Sequence, residues 1–482
     1  MLWGIPSEVN RFFRPVVCHV SKPIQKGLAA MVLALLLAPH YRRMKTIAGM
    51  VSGHRVHVAT ISRRLHNPLW TTRDWYATLA GETLSGANGY ERSHIKGRKR
   101  RFAIIIDTTL HASVGEKMEN LLVMSAREDK RRRSTRHHVF VMGIMITESG
   151  MRIPLPRRSY YTKEYCKAHG KTYRTQTQLA RMMIHEAMVP SDADVTVLYD
   201  SAFDADVIHR ECRNRGFREI FPIDPNRNLA TKDSPYAPAE AGERVVASTL
   251  DWQEEEFTTL ELEVGNEDFV LFRRRHVDNL RVKKTFRRYV IAARHANVSK
   301  LGQCLIVVSY KENPRVELLE GQSGDWRDYR QFLATRRKKD MNKPSRWNDK
   351  VLACTDPSLS ARQVIEWYEI RWQIEVFFRE LKSRLQMRCY VFMRFDAVER
   401  YLDLLLMGFL LLEKRRLDDL TSTGKWPAKG DGIAHWRTTD RLRSLESWIQ
   451  RFNLDYISQR LQSKRGRAEL LRKLAQAPCQ VA

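Results

Sequence analysis

The 482-residue chain has no apolar run long enough to cross a bilayer. Its two longest, Leu28 to Ala38 and Leu404 to Leu412, fall well short of the roughly 18 residues a span requires, and both read instead as buried helices. The first follows Arg11, Arg14, Lys22 and Lys26, yet it lies late, lacks a small-residue cleavage site and is followed by more basic sequence. A secretory signal is therefore not expected. Cysteine is sparse: Cys18, Cys166, Cys212, Cys304, Cys354, Cys389 and Cys479 are scattered, odd in number and form no CxxC pair. That excludes a disulfide framework or a zinc site and fits reduced thiols in a cytoplasmic protein. There is no Walker loop, GxGxxG or Ser-His-Asp arrangement, which removes the usual grounds for ATPase, dehydrogenase or hydrolase chemistry. No internal repeat is visible, and low complexity is limited to short basic runs. Acids are too few to balance the bases: 55 Asp and Glu stand against 83 Lys and Arg, a net charge of +28.

With 43% hydrophobic and 9% aromatic residues, the chain is not a disordered basic tail, so this charge sits on folded surface. A cationic excess of that size repels itself unless a polyanion offsets it. Nucleic acid is the leading partner, ahead of an anionic membrane surface. The length suggests about three domains.

Residues 1–95 read as a helical region. Within it, Met44 to Asn67 pairs a short amphipathic stretch with a second helix across Ser52-Gly53. This is either a DNA-binding helix-turn-helix carrying Arg63 and Arg64, or an ordinary helical hairpin. Residues 92–101 form a basic connector in which Arg98, Lys99 and Arg100 are candidate DNA contacts. From residue 102 the texture becomes strand-like. Phe102 to Asp107 and Val195 to Asp200 are short apolar runs that each end in an acid, and Val139 to Ile146 and Met151 to Tyr161 flank a turn at 147–150. Helices are expected over Thr172 to Met188 and Ala205 to Arg215. His137-His138 read as a solvated loop or as phosphate contacts. The expected class is α/β, a mixed sheet flanked by helices over 96–224 and 351–400. It is interrupted at 225–350 by a separate β-rich unit and followed at 401–482 by a helical region that could dimerise.

The densest chemical signal lies in Arg362 to Arg388. Trp367, Ile370, Ile374, Phe378, Leu381 and Leu385 recur at spacings of three and four, the apolar stripe of one long helix. Beside that stripe, Tyr368, Arg371, Glu375 and Lys382 share a second face at about 100° per residue. By itself such a face is an ion-pair stripe. Together with Asp107 and Asp200, each at the end of an apolar strand, it offers three carboxylates that could converge. Carboxylates brought together in low dielectric repel, and hard divalent cations reverse that repulsion. Asp204 and Asp206 rival Asp200, while Glu366, Glu369 and Glu380 rival Glu375 but lie off the Tyr-Arg-Lys face.

The block Tyr368, Arg371, Glu375, Lys382, preceded by Asp107-Thr108-Thr109 and Asp200, resembles the YREK signature of bacterial DDE transposases of the insertion-sequence-four type, which include the transposon-five transposase. The resemblance covers about residues 100–400 and implies an RNase H-like fold with a β-rich insertion. It implies that Asp107, Asp200 and Glu375 ligate two Mg²⁺ ions, with Mn²⁺ as a substitute, and that Tyr368, Arg371 and Lys382 grip the DNA backbone near a flipped base. A tryptophan from the insertion would stack on that base, and Trp252, Trp326 and Trp347 are the candidates. The implied partners are double-stranded DNA, at element ends and target, and a second copy of the chain in a synaptic dimer. The implied location is the cytoplasm, at the nucleoid. A fold that has kept DNA binding but lost the chemistry, or a stand-alone nuclease, is the alternative.

Overall fold

The computed structural model describes residues 7–37, 58–113, 117–124, 135–223, 227, 257–264, 285–312, 347–385, 387, 390, 392–424, 462–463 and 466–468. At its centre is strand β1 (Arg100–Ser113). Phe102 to Ile106 on this strand are fully buried, the phenylalanine and the three isoleucines each worth about 1.5 to 3 kcal/mol relative to exposure. A run that is apolar on both faces is what a strand covered on both sides requires. β1 pairs antiparallel with β3 (Thr135–Ile146) and parallel with β6 (Ala193–Leu198). β6 in turn pairs parallel with β7 (Arg218–Pro222). The short strands β2 (Leu122–Met124), β4 (Arg152–Pro154) and β5 (Arg158–Ser159) all pair with β3. The expected turn lies before β4, where Gly150 takes φ 80° and its N–H donates to the Thr147 carbonyl at 2.8 Å.

Two expectations are corrected here. β1 does not end at Asp107, because antiparallel pairing with β3 continues from Asp107↔Met142 to Ser113↔Arg136. Its more polar end is held by backbone ladder bonds that an apolar pattern does not reveal. The described strands of the 225–350 region are also not a separate unit. β8 (Thr258–Val264), β9 (Thr285–Val298), β10 (Gly302–Glu312) and β11 (Trp347–Cys354) continue the same sheet, in the order β2-β3-β1-β6-β7-β11-β10-β9-β8. The junction is the antiparallel pair β7–β11, where Ala353 faces Phe221.

The N-terminal helices are α1 (Ser7–Phe12), α2 (Lys22–Leu37), α3 (Val58–His66) and α4 (Thr72–His94). The last three pack on α10 (Phe395–Thr423), and side chains from Val9 to Leu412 form one hydrophobic core with the sheet. Buried polar ties fix α10 in place. Arg157 meets Glu399 at 3.0 Å and Asp403 at 2.9 Å, and Thr72 donates to Asp403 at 2.6 Å. Arg152 meets Glu413 at 2.8 Å and Glu380 at 3.1 Å. Residues 44–57, the first half of the suggested helix-turn-helix, lie outside the described residues, as do Trp252, Trp326 and the side chain of Trp347. No helix among the described residues is long and apolar enough to cross a membrane. Cys166, Cys212, Cys304 and Cys354 are free thiols.

Candidate active site

Ile105↔Leu198 is the last parallel pair between β1 and β6, and Asp107 and Asp200 each lie two residues beyond it. Side chains two apart on a strand share a face, so the register carries both acids to the same end of this central ladder. Each is held by its neighbour's backbone: Asp107 Oδ1 accepts from the Thr108 N–H at 2.7 Å, and Asp200 Oδ1 from the Ser201 N–H at 2.8 Å.

The third acid arrives on a helix. α8 (Ala361–Ile370) opens with a capping box between Ser360 and Gln363. At Arg371 the ladder tightens to three-residue bonds, with the Arg371 N–H to Tyr368 at 3.0 Å and the Ile374 N–H to Arg371 at 3.2 Å. α9 (Trp372–Arg379) follows, and then a π-helical turn, Glu380–Arg384. The single long helix expected over 362–388 is therefore two helices and a widened turn, although its apolar stripe is buried as the spacing predicts. The widened turn undoes the 100° arithmetic that placed Lys382 beside the other three. Its Nζ lies 5.3 Å from the centre of the Phe378 ring.

Arg371 is the hub. Its guanidinium is 3.5 Å from Asp107 Oδ2 and 3.9 Å from Glu375 Oε1. Burial pushes the Asp107 carboxyl above its ordinary value. The Thr108 N–H and Arg371 oppose that rise, while Glu375 and Asp200 add to it as like charges. The Arg371 charge is in turn favoured, against burial, by Tyr368, Asp200, Asp107 and Glu375. Lys350 on β11 donates to the Tyr368 hydroxyl at 3.4 Å and lies 4.9 Å from its ring centre. Burial raises the Tyr368 hydroxyl well above its usual range, so at neutral pH it keeps its proton.

Among the described residues, no three His, Cys, Asp or Glu side chains are already assembled closely enough to hold an ion. The donor set nevertheless suits a hard divalent cation: Asp107 feels the charge of both Glu375 and Asp200, and all three carboxylates act on a single guanidinium.

A family model described as the transposase DDE domain matches residues 167–409. The chain belongs to this family. The match includes Asp200 and Glu375 and begins after Asp107, whose place beside them rests on the register of β1 and β6. No curated protein matches the chain.

Four of the five rival acids of this DDE transposase are occupied elsewhere, whereas Glu369 lies near enough to Tyr368 for its charge to be felt there. Glu366 pairs with Arg362 at 2.9 Å, Glu380 with Arg152, and Asp206 with Arg210 at 3.0 Å. Asp204 is bonded to His209 at 2.9 Å and to Arg227. Among the proposed DNA contacts, Arg100 is corrected: it is 1% exposed and paired with Asp192 at 2.6 Å and Glu91 at 3.5 Å, so its guanidinium cannot face a phosphate. Arg98 is bonded to Glu148, with one contact at 2.9 Å, and Lys99 is exposed. Arg63 is exposed on α3, whereas Arg64 is half-buried against Trp70 and Gly27. His138 is not in a loop. It is buried in β3, with Nδ1 2.7 Å from the Tyr390 hydroxyl and Nε2 2.8 Å from the Glu119 carbonyl.

Sequence reasoning missed the network that anchors the segment after Asp200. His209, fully buried on α7 (Asp206–Asn214), has Nε2 2.9 Å from Asp204 and Nδ1 3.0 Å from Glu219, and Glu219 also accepts from Tyr199 at 2.6 Å. The available signal was Glu219 itself, an acid directly before the apolar run Ile220 to Ile223. Burial lowers the His209 pKa, but bonds to Asp204 and Glu219 outweigh it, so the net shift is upward from 6.5. Asp204 is held below 3.8 by His209 and Arg227 despite burial. A raised histidine stabilises the fold fully below its unfolded value and loses that contribution as pH rises through the folded one. A lowered aspartate loses its contribution as pH falls. The network is therefore strongest between about pH 4 and the unfolded histidine value of about 6.5, and weakens as pH rises through the raised His209 value. Urea midpoints of the parent and His209→Gln are expected to differ most near pH 6 and to converge toward pH 9. A gap that stays constant with pH would show that His209 is not charged in the fold.

Proposed function

We propose that the chain is a DDE transposase of the insertion-sequence-four type, which cuts DNA at element ends and joins the freed 3′-hydroxyls to target DNA. Asp107, Asp200 and Glu375 are its proposed ligands for two Mg²⁺ ions, with Mn²⁺ as a substitute. The observation that carries this reading is the shared end of the β1–β6 parallel ladder, near which the α8–α9 junction places Arg371 and the first turn of α9 places Glu375. Such ions, when bound, would activate the attacking oxygen and neutralise charge on the leaving one.

The chain's own groups supply the rest. Thr108 and Ser201 N–H groups fix the rotamers of the two aspartates. Arg371 neutralises the acids from one side and presents a planar fork suited to a phosphate. Tyr368, kept neutral by burial and braced by Lys350, can donate to a backbone oxygen, and Lys382 adds a cation. Excision through a hairpin, a synaptic dimer and end recognition through Arg63 belong to the same reading. The test is a labelled element end incubated with Mg²⁺ and scored for both nicking and joining. Nicking without joining would make the chain a nuclease, and neither would remove the chemistry.

Arg371→Ala and Lys382→Ala are each expected to weaken duplex binding and to lower the slope of log affinity against log salt by about 0.9, one released counterion per phosphate contact. Slopes equal to the parent's would remove both residues from the DNA interface.

A further inference from the structure

Asp107 faces Arg371 at the α8–α9 junction, whereas the next side chain, Thr108, donates from the other face of β1 to Gln176 Oε1 at 2.9 Å. Gln176 opens α6 (Gln176–Glu186). The same helix lines an open groove of about 250 Å³ with Gln178 and Arg181, together with Tyr173, Arg174 and Val207. Val207 belongs to the helix that follows the Asp200 segment.

The groove is cationic and its cations are available. Arg174 is exposed. Arg181, 45% exposed, meets Glu211 at 3.2 Å, a surface pair worth at most about 1 kcal/mol that a phosphate can replace. Nearby, Arg73 and Arg158 share the Glu186 carboxylate, so this neighbouring cluster is cationic by one charge. Tyr173 is half-buried and braced, its hydroxyl 3.1 Å from that of Tyr160 and its ring 5.5 Å from Lys163 Nζ. Two guanidinium groups beside one braced ring complement a nucleic-acid strand, which offers phosphates to the cations and sugar or base to the ring.

We propose that this groove carries the backbone of the DNA that runs past the acids, with Arg174 and Arg181 on its phosphates and Tyr173 against a sugar or base. The inference rests on the reading of the chain as a DNA-cutting transposase. A strand held at the acids carries a phosphate for every 3.4 Å or so of helix axis, so within a few nucleotides it reaches the surface around the Thr108 corner.

The test measures binding of a fluorescein-labelled DNA duplex to the full chain by anisotropy across a salt series. The parent is compared with Arg174→Ala/Arg181→Ala, with Arg174→Lys/Arg181→Lys, and with Lys414→Ala, a net-charge control at a partly exposed lysine of α10 that pairs with Asp418. The alanine pair is expected to lower the salt slope by about 1.8, two released counterions, and to weaken low-salt binding tenfold or more. The lysine pair should restore most of the slope, and Lys414→Ala should keep the parent's. If the parent binds and the alanine pair keeps its slope, the groove assignment is overturned while the function stands. A loss per charge in Lys414→Ala equal to that in the alanine pair overturns it as well, because net charge alone would then explain the effect. A parent that binds no duplex overturns both readings together.

Discussion

Asp107→Asn is expected to reduce DNA nicking by at least about a thousandfold while leaving duplex binding intact and the fold no less stable. Losing a ligand to a divalent ion removes several kcal/mol of charge stabilisation from the transition state, and about 4 kcal/mol corresponds to three decades. Asparagine keeps the Oδ1 acceptor for the Thr108 N–H at 2.7 Å, so the substitution removes charge with little change of shape. Stability should move the opposite way to activity. Because burial, with Glu375 and Asp200, raises the Asp107 carboxyl, its ionised form is disfavoured by the fold. Its contribution is present below the unfolded pKa and lost as pH rises through the folded one. A neutral amide therefore relieves the site at neutral pH, as is common where function is held against stability. Asp200→Asn and Glu375→Gln should lose nicking to a similar degree. Glu366→Gln, whose carboxylate is engaged with Arg362, should keep the parent rate within about twofold, as surface substitutions usually do. Parent-like nicking by Asp107→Asn would dismantle the triad.

What could be read from the residues was local. β8 coincides with the strand expected over Thr258 to Val264, because alternation needs no partner to be recognised. The turn before β4 was legible in Thr-Glu-Ser-Gly, whose glycine takes the left-handed conformation that the turn demands. The approach of Arg371 and Glu375 to Asp107 could be anticipated from helical spacing and from the acid that closes each apolar run, although β1 itself continues past Asp107. Long-range pairing could not. Nothing in the composition of β8 to β11 says that they extend the same sheet rather than form another, since the β7–β11 contact joins distant parts of the chain. Arg100 looked like part of a solvated basic run because its carboxylate partners, Glu91 and Asp192, lie on other elements. The break at Arg371 and the π turn after it contain neither proline nor glycine, so a propensity reading passes over both.

The largest stability effect is expected away from the acids, at Arg157. Its guanidinium is 6% exposed and lies between Glu399 at 3.0 Å and Asp403 at 2.9 Å, the latter also bonded to Thr72 of α4. Arg157→Leu fills the space but strands two carboxylates in the core, and breaking a buried pair from one side costs about 3 to 5 kcal/mol. Burial already raises Asp403 despite Arg157, and Arg157 holds Glu399 low against burial. Without the guanidinium both carboxyls should rise. A lowered carboxyl stabilises the fold above its unfolded pKa and loses that contribution as pH falls. The gap between parent and variant in urea denaturation should therefore be widest at neutral pH and narrow toward pH 4, where Glu399 and Asp403 take up protons. Adding Asp403→Asn to Arg157→Leu should recover part of the loss, because residues sharing one network are not additive. A loss below about 1 kcal/mol, the range of an exposed pair, would mean that water reaches Arg157 and that α10 is not locked to the sheet by this cluster. A large loss that leaves the salt slope of the remaining folded protein unchanged would place Arg157 in the frame that holds the DDE domain together, apart from the surface that meets DNA.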